Sequence, residues 1–132
     1  MTMDMYRENI LDHYKNPRNS GKVENPDISH HEYNASCGDD LTFTVKLDAK
    51  RRVAEVKFTG KGCAISMAAA SMLSERVKGM SLDELHKLTS EDIFELLGTE
   101  IGPGRLKCAL LPLKTLMTGV EEWELRVGKP KG

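Results

Sequence analysis

Residues 41–60 read LTFTVKLDAKRRVAEVKFTG. Leu41, Phe43, Val45 and Leu47 alternate with Thr42, Thr44 and Lys46, the period-two pattern of a strand with one face buried. DAKR turns the chain, and RRVAEVKFTG supplies a second strand, so the pair reads as a hairpin. Upstream, HHEYNAS at 30–36 adds a third strand to the same antiparallel sheet. Residues 22–30 are polar, contain Pro26 and read as a loop or an edge.

Helical signals flank the sheet. Residues 3–15 place Met3, Tyr6, Ile10 and Tyr14 on one stripe, and the breaker-dense NPRNSG stops that helix. From Cys63 the text becomes CAISMAAASMLSERVKG, an alanine-rich helix with Gly79 placed to end it. SLDE at 81–84 is a capping box that opens a short helix through about Leu88. TSEDIFELLG forms another, closed at Gly98. After TEIGPG, a last helix carries Leu106, Leu110, Leu113, Met117 and Val120 on its apolar stripe. Pro112 inside it is expected to kink it, at a cost of about 3 kcal/mol. Strands in one run and helices in others predict an α+β fold, a three-stranded antiparallel sheet with helices on one face.

The chain has 132 residues, the size of one domain. It reads as a single domain with its core over about 5–120 and a tail over 121–132. A net charge of −1 gives no field favouring nucleic acid or an anionic membrane. No apolar run reaches the roughly 20 residues that span a bilayer, and the charged N-terminus lacks a signal-peptide core. The expectation is a cytoplasmic protein with no nucleic-acid or membrane partner, whose three cysteines stay reduced.

Those cysteines stand out. Cys37 lies in NASCGDD at 34–40, Cys63 where a strand gives way to a helix, and Cys108 in the first turns of the last helix. All three sit beside glycines at element ends, where loops present side chains to ligands. Helix N-termini also favour the thiolate, which applies to Cys63 and Cys108. With Asp39, two residues after Cys37, three thiolates and a carboxylate would close a tetrahedral site for zinc or a cluster iron. Gaps of 26 and 45 residues match no zinc-finger spacing, and free cysteine is often simply buried. On spacing alone, a shared site and three packed thiols stand level.

NASCGDD, GKGCAIS at 60–66 and RLKC at 105–108 resemble the three cysteine motifs of the IscU-type iron–sulfur cluster scaffolds, which include SufU and the N-terminal domain of NifU. MYRENILDHYKNPRNSG at 5–21 is similar to that family's N-terminal helix and turn. The resemblance implies a scaffold rather than an enzyme, on which iron and sulfide are assembled into a [2Fe-2S] cluster. Sulfur would arrive as persulfide from a cysteine desulfurase of the IscS, SufS or NifS type, and the cluster would pass to acceptor proteins. By the same resemblance Cys37, Asp39, Cys63 and Cys108 are the ligands and Cys108 receives the persulfide. Asp39→Ala is then expected to trap the cluster. Tyr6 matches a tyrosine tied in some relatives to dimer contacts and persulfide handling, and the expectation is one cluster per chain or one shared by a homodimer.

Two features depart from the IscU pattern. Lys107 stands where that branch has histidine, as in SufU, and is a candidate auxiliary beside Cys108. EIGPGRLKC at 100–108 replaces the LPPVK segment that a DnaK-type chaperone binds in IscU. The short gap before Cys108 leaves no room for the insertion typical of SufU. The alternative reading is therefore a zinc-bound, SufU-like sulfurtransferase, and a third is a structural zinc module without sulfur chemistry. Asp40 is either a solvated turn acid or takes the ligand role from Asp39. His13, His30, His31 and His86 read as surface or structural residues, and Met67, Met72 and Met80 as core packing. Trp123 reads as a packing anchor or a partner contact.

Overall fold

A computed structural model describes residues 2–35 and 38–128, with side chains in the first helix from Arg7 onward. The order is α1 (Thr2–Lys15), β1 (Ile28–Asn34), β2 (Asp39–Leu47), β3 (Val53–Lys61), α2 (Ala64–Val77), α3 (Leu82–His86), α4 (Ser90–Leu97), a 3-10 turn (Pro103–Arg105) and α5 (Leu106–Val127). The strands form one antiparallel sheet in the order β1-β2-β3, as the alternation predicts.

Register explains which residues face inward. Phe43 lies opposite Phe58 on β3 and His30 on β1, and Val45 lies opposite Val56 and Ile28. Leu41, Phe43, Val45, Val56, Phe58 and Ile28 are all buried on one face, where α2 and α5 pack against them. The Phe43 and Phe58 rings meet at 5.8 Å, a cross-strand aromatic pair. Strand β1 begins at Ile28 rather than within the 30–36 motif. The segment before it is tied down: Gly21 N–H donates to the Phe58 carbonyl and Phe58 N–H to that of Asn19. Val23 N–H then donates to Thr44 Oγ1 and Asp27 N–H to the Val45 carbonyl. The loop thus covers the outer edge of β3, which would otherwise offer unpaired backbone groups, and buries Thr44 on the far face.

Small residues set the helix packing. Ala68, Ala69, Ala70 and Ser71 of α2 are fully buried and allow close approach of sheet and helices. The capping box at Ser81 and Glu84 is present, and Gly98 closes α4 in the left-handed conformation at φ 71°. Helix α5 runs unbroken through Pro112 to Val127, so residues 121–127 are helix rather than tail. Their contacts are structural: Glu124 is buried and bonds His86, and Trp123 packs on the core with the Arg51 guanidinium 5.1 Å over its ring. The buried stripe of α5 runs through Cys108, Leu111, Pro112, Thr115, Leu116, Gly119 and Val120. It is rotated from the expected one because the helix approaches β1 too closely for large side chains. A Cβ on Gly119 would lie 2.8 Å from Ile28 and 3.0 Å from His30.

The stripe expected on α1 is also rotated. Ile10 is buried but Tyr14 is 44% exposed. The place facing α2 is taken by His13, whose Nδ1 lies 2.7 Å from the Ser71 hydroxyl. That hydroxyl oxygen also accepts the Arg18 N–H, leaving its own hydrogen for a neutral imidazole. Burial, followed by the charge of Arg18, lowers the His13 pKa below its ordinary value. A depressed histidine contributes stability that is complete above the unfolded value, about 6.5, and is lost as pH falls through the folded one. The melting temperature of the wild type is therefore expected to drop more steeply between pH 7.5 and 5 than that of His13→Asn. Parallel slopes in scanning calorimetry would contradict this.

Candidate metal centre

Three element starts converge at one end of the sheet. Asp39 is the first residue of β2 and shares the inward face with Leu41 two positions on. Cys63 is the N-cap residue of α2. Cys108 is the third residue of α5. A carboxylate oxygen of Asp39 and the sulfurs of Cys63 and Cys108 all lie within 4.8 Å of one another. Asp39 and Cys108 are almost fully buried, and Cys63 is half-buried. The fourth predicted residue, Cys37, lies outside the described residues. Gly38 N–H donates to the Asn34 carbonyl at 2.8 Å, and Asn34 pairs with Asp39. Gly38 makes that turn at φ 70°, a conformation glycine adopts without strain.

The two oxygens of Asp39 have different surroundings. Oδ1 accepts the Cys63 N–H at 2.9 Å, joining the start of β2 to the start of α2. Oδ2 is buried with no hydrogen-bond partner among the described residues. A buried acceptor left in that state costs about 1–3 kcal/mol, and more when charged. Nearby sulfurs deepen the problem, since thiolates beside a carboxylate repel it. A cation removes both costs, and the donor set of sulfurs plus one hard oxygen suits zinc or iron.

Backbone glycines make the room. A Cβ on Gly62 would stand 2.5 Å from Ser66 Oγ and 2.7 Å from Asp39 Oδ1. Gly60, at φ 152°, passes so close that a Cβ would meet the Asp40 carbonyl oxygen at 2.0 Å. Ser66, buried in the first turn of α2, accepts the Cys63 S–H at its Oγ across 3.7 Å. Burial pushes the Cys63 thiol up, but the backbone N–H and hydroxyl of Ser66 outweigh it. With a smaller contribution from Cys108, and against the charge of Asp39, the net shift is downward.

The remaining candidates lie apart from this cluster. Asp40 takes the opposite face of β2, half-exposed and bonded to His31. The alternation that buries Leu41 assigns Asp39, not Asp40, to the inner face, a signal present in the sequence. Lys107 is exposed on the rim, lining a cleft of about 380 Å³ with Tyr33, Asn34 and Lys114. The Tyr6 side chain is outside the description. The histidines are all engaged elsewhere: His13 with Ser71, His30 with Glu32 and Glu122, His31 with Asp40, His86 with Glu124. Gly60, Gly62 and Ser66 are the residues that the sequence reading missed.

The family described as NifU-like N terminal domain matches residues 5–130. This chain belongs to it. The match runs past the 120 expected, as the continuous α5 requires. The zinc-dependent sulfurtransferase SufU of Bacillus subtilis is 40% identical, covering 91% of this chain and 92% of that protein. That alignment extends over 137 positions, more than the 132 residues here, so the relative carries residues this chain lacks. The iron–sulfur cluster assembly scaffold IscU of Aquifex aeolicus is 38% identical over 94% of this chain and 79% of its own. Among solved structures, a candidate scaffold for the SUF system from Fervidobacterium islandicum superposes with a TM-score of 0.73. It is 30% identical and covers 86% of this chain and 94% of that one. A NifU-like N-terminal protein from Brucella abortus has a TM-score of 0.76 over 96% of this chain and all of that one; at 19% identity it speaks for the fold.

The unequal oxygens of Asp39 generate a test. Asp39→Asn keeps an Oδ1 acceptor for the Cys63 N–H and removes the buried charge. Without metal the variant is expected to melt at or above the wild-type temperature. Excess zinc at 100 times Kd should stabilise the wild type by about 2.7 kcal/mol and the variant by much less. An equal zinc-induced shift in both proteins would show that Oδ2 holds no metal.

Proposed function

We propose that the protein is a cytoplasmic scaffold for assembly of [2Fe-2S] clusters, holding its cargo through Cys37, Asp39, Cys63 and Cys108. The observation that carries this is the Asp39 carboxylate within 4.8 Å of the sulfurs of Cys63 and Cys108, with its buried Oδ2 lacking a hydrogen-bond partner among the described residues. Thiolates bind iron as soft ligands, whereas a carboxylate is hard. The Asp39 bond is therefore the first to open when cargo leaves, and Asp39→Ala holds the cluster longer. Iron binding is the cargo chemistry; the chain itself presents ligands and accepts sulfur.

Sulfur enters through Cys108 in this reading. Its thiolate attacks the outer sulfur of a persulfide on the partner desulfurase, a new S–S bond forms on Cys108, and the desulfurase cysteine leaves as a thiolate. No oxidant is consumed. Cys108 is 1% exposed, so the start of α5 must uncover it for the attack. The finished cluster passes to apo acceptor proteins, and either one chain or a homodimer holds it.

A second reading is a zinc-bound sulfurtransferase, in which the same residues hold zinc and Cys108 leaves the metal to take up sulfur. Its support is the SufU relative at 40% identity and Lys107, which as a protonated amine is no ready ligand.

Anaerobic reconstitution with iron, sulfide and thiol tests the first reading. The wild type should turn red-brown with iron and acid-labile sulfide in equal amounts. Cys37→Ser, Cys63→Ser and Cys108→Ser should each lose most of the visible absorption. A colourless protein holding one zinc per chain would favour the second reading, and unchanged spectra in all three variants would move the site elsewhere.

Sulfur entry is tested separately. After incubation with a desulfurase and cysteine, mass spectrometry should find the additional sulfur on Cys108. Persulfide confined to Cys37 or Cys63 would contradict the assignment.

A further inference from the structure

We infer that Ser66 is a positioning residue of the metal centre, whose hydroxyl turns from the Cys63 carbonyl to the Cys63 sulfur when that sulfur becomes a metal ligand. The inference rests on the centre proposed above and concerns a residue outside its ligand set.

Ser66 lies in the first turn of α2, three residues after Cys63, and is 1% exposed. Its Oγ donates to the Cys63 carbonyl at 3.1 Å and lies 3.7 Å from the Cys63 sulfur. A helical serine commonly bonds back to a carbonyl three or four residues earlier, so the first contact alone would be ordinary. The second is not required by that geometry. It places one hydroxyl within reach of both a carbonyl oxygen and a sulfur of the same residue.

The hydroxyl has one hydrogen and two lone pairs. While Cys63 is a thiol, its S–H can donate to Ser66 Oγ and the serine hydrogen goes to the carbonyl. A metal-bound thiolate has no hydrogen to give and becomes an acceptor. Rotation about the Ser66 C–O bond then points the serine hydrogen at the sulfur, with no heavy atom displaced. The backbone N–H of Ser66 also serves that sulfur, so the ligand gains two donors from one residue. Gly62 keeps the space open, since a Cβ there would stand 2.5 Å from Ser66 Oγ.

Donors aimed at a ligating sulfur orient it and withdraw charge from it. Removing such outer partners weakens metal binding by about 10- to 100-fold, and hydrogen bonds to the sulfurs are among the factors that set cluster potentials. Ser66→Ala deletes the hydroxyl without placing a larger group in the site. Ser66→Thr restores it, because a helical threonine hydroxyl reaches the same carbonyl.

Three readouts on wild type, Ser66→Ala and Ser66→Thr decide the matter. Zinc affinity, by competition with a chromophoric chelator, should fall about tenfold in the alanine variant and recover in the threonine variant. In cobalt(II)-loaded protein, the thiolate-to-cobalt band should move to longer wavelength in the alanine variant. The reduction potential of the reconstituted cluster should become more negative. An unchanged band, affinity and potential in Ser66→Ala, with metal bound normally by the wild type, would overturn the role of Ser66 and leave the centre intact. Wild-type protein that binds neither zinc nor cobalt would overturn the centre and this inference together. An affinity loss with band and potential unmoved would mark Ser66 as a packing residue and overturn the inference as well.

Discussion

The hydrogen bond from Cys63 N–H to Asp39 Oδ1 ties the start of the central strand to the start of the central helix. The packing of α2 on the sheet is largely apolar, and apolar packing is non-directional and does not by itself fix where an end falls. The bond fixes it. It also satisfies one of the N–H groups that a helix N-terminus leaves unpaired, and sets a carboxylate at the positive end of the α2 dipole, where negative charge is favoured. With Oδ1 committed in this way, Oδ2 is left buried with no hydrogen-bond partner among the described residues. One side chain thus carries a structural and a ligand-like role on separate atoms.

That division accounts for the glycines around the site. Asp39 can reach Cys63 only if β3 leaves the sheet close beside it, and the chain there reads Gly60, Lys61, Gly62. A side chain at Gly60 would strike the backbone of Asp40, and one at Gly62 would strike Asp39 itself. The Asp39 oxygen without a hydrogen-bond partner among the described residues costs stability, as is common where a fold reserves a site for a ligand. The large buried face of the sheet and the alanine-rich α2 supply the stability that offsets it.

Most of the fold was legible because its elements repeat one physical pattern. Alternation gave β2 and β3, and the capping box and Gly98 gave α3 and α4. The readings that moved share a cause, the use of polar or small residues as packing surfaces. His13 replaced Tyr14 on α1 because Ser71 offers it a partner. Gly119 and Thr115 turned α5 because β1 lies too near for leucine. At the site, the cysteines were visible as element-end thiols, but their convergence was not, because strand-to-helix geometry cannot be read from spacing. The likeness to IscU-type proteins brought them together before the geometry did. Ser66 stayed hidden since a serine in a helix reads as ordinary. Its place three residues after an N-cap cysteine, the spacing of a capping box, was the available signal.

Helix α5 shows how the same element holds the fold and presents a reactive group. Its later half is fastened on several sides: Gly119 against Ile28 and His30, Glu122 to His30, Trp123 under Arg51, and Glu124 to His86. His30 meets carboxylates at both ring nitrogens, Glu32 on β1 and Glu122 on α5, and so links the helix to the sheet edge. The first turn lies nearer to solvent. Leu106 is partly exposed, the Pro103–Arg105 turn before it is exposed, and Pro112 has no N–H with which to bond back along the helix. Cys108 therefore sits beside the more exposed end of an element anchored at the other. In the proposed function, a thiol buried to hold metal and uncovered to take up sulfur would use that arrangement. Such an opening would stay local, because Val120, Trp123 and Glu124 keep the rest of the helix in place.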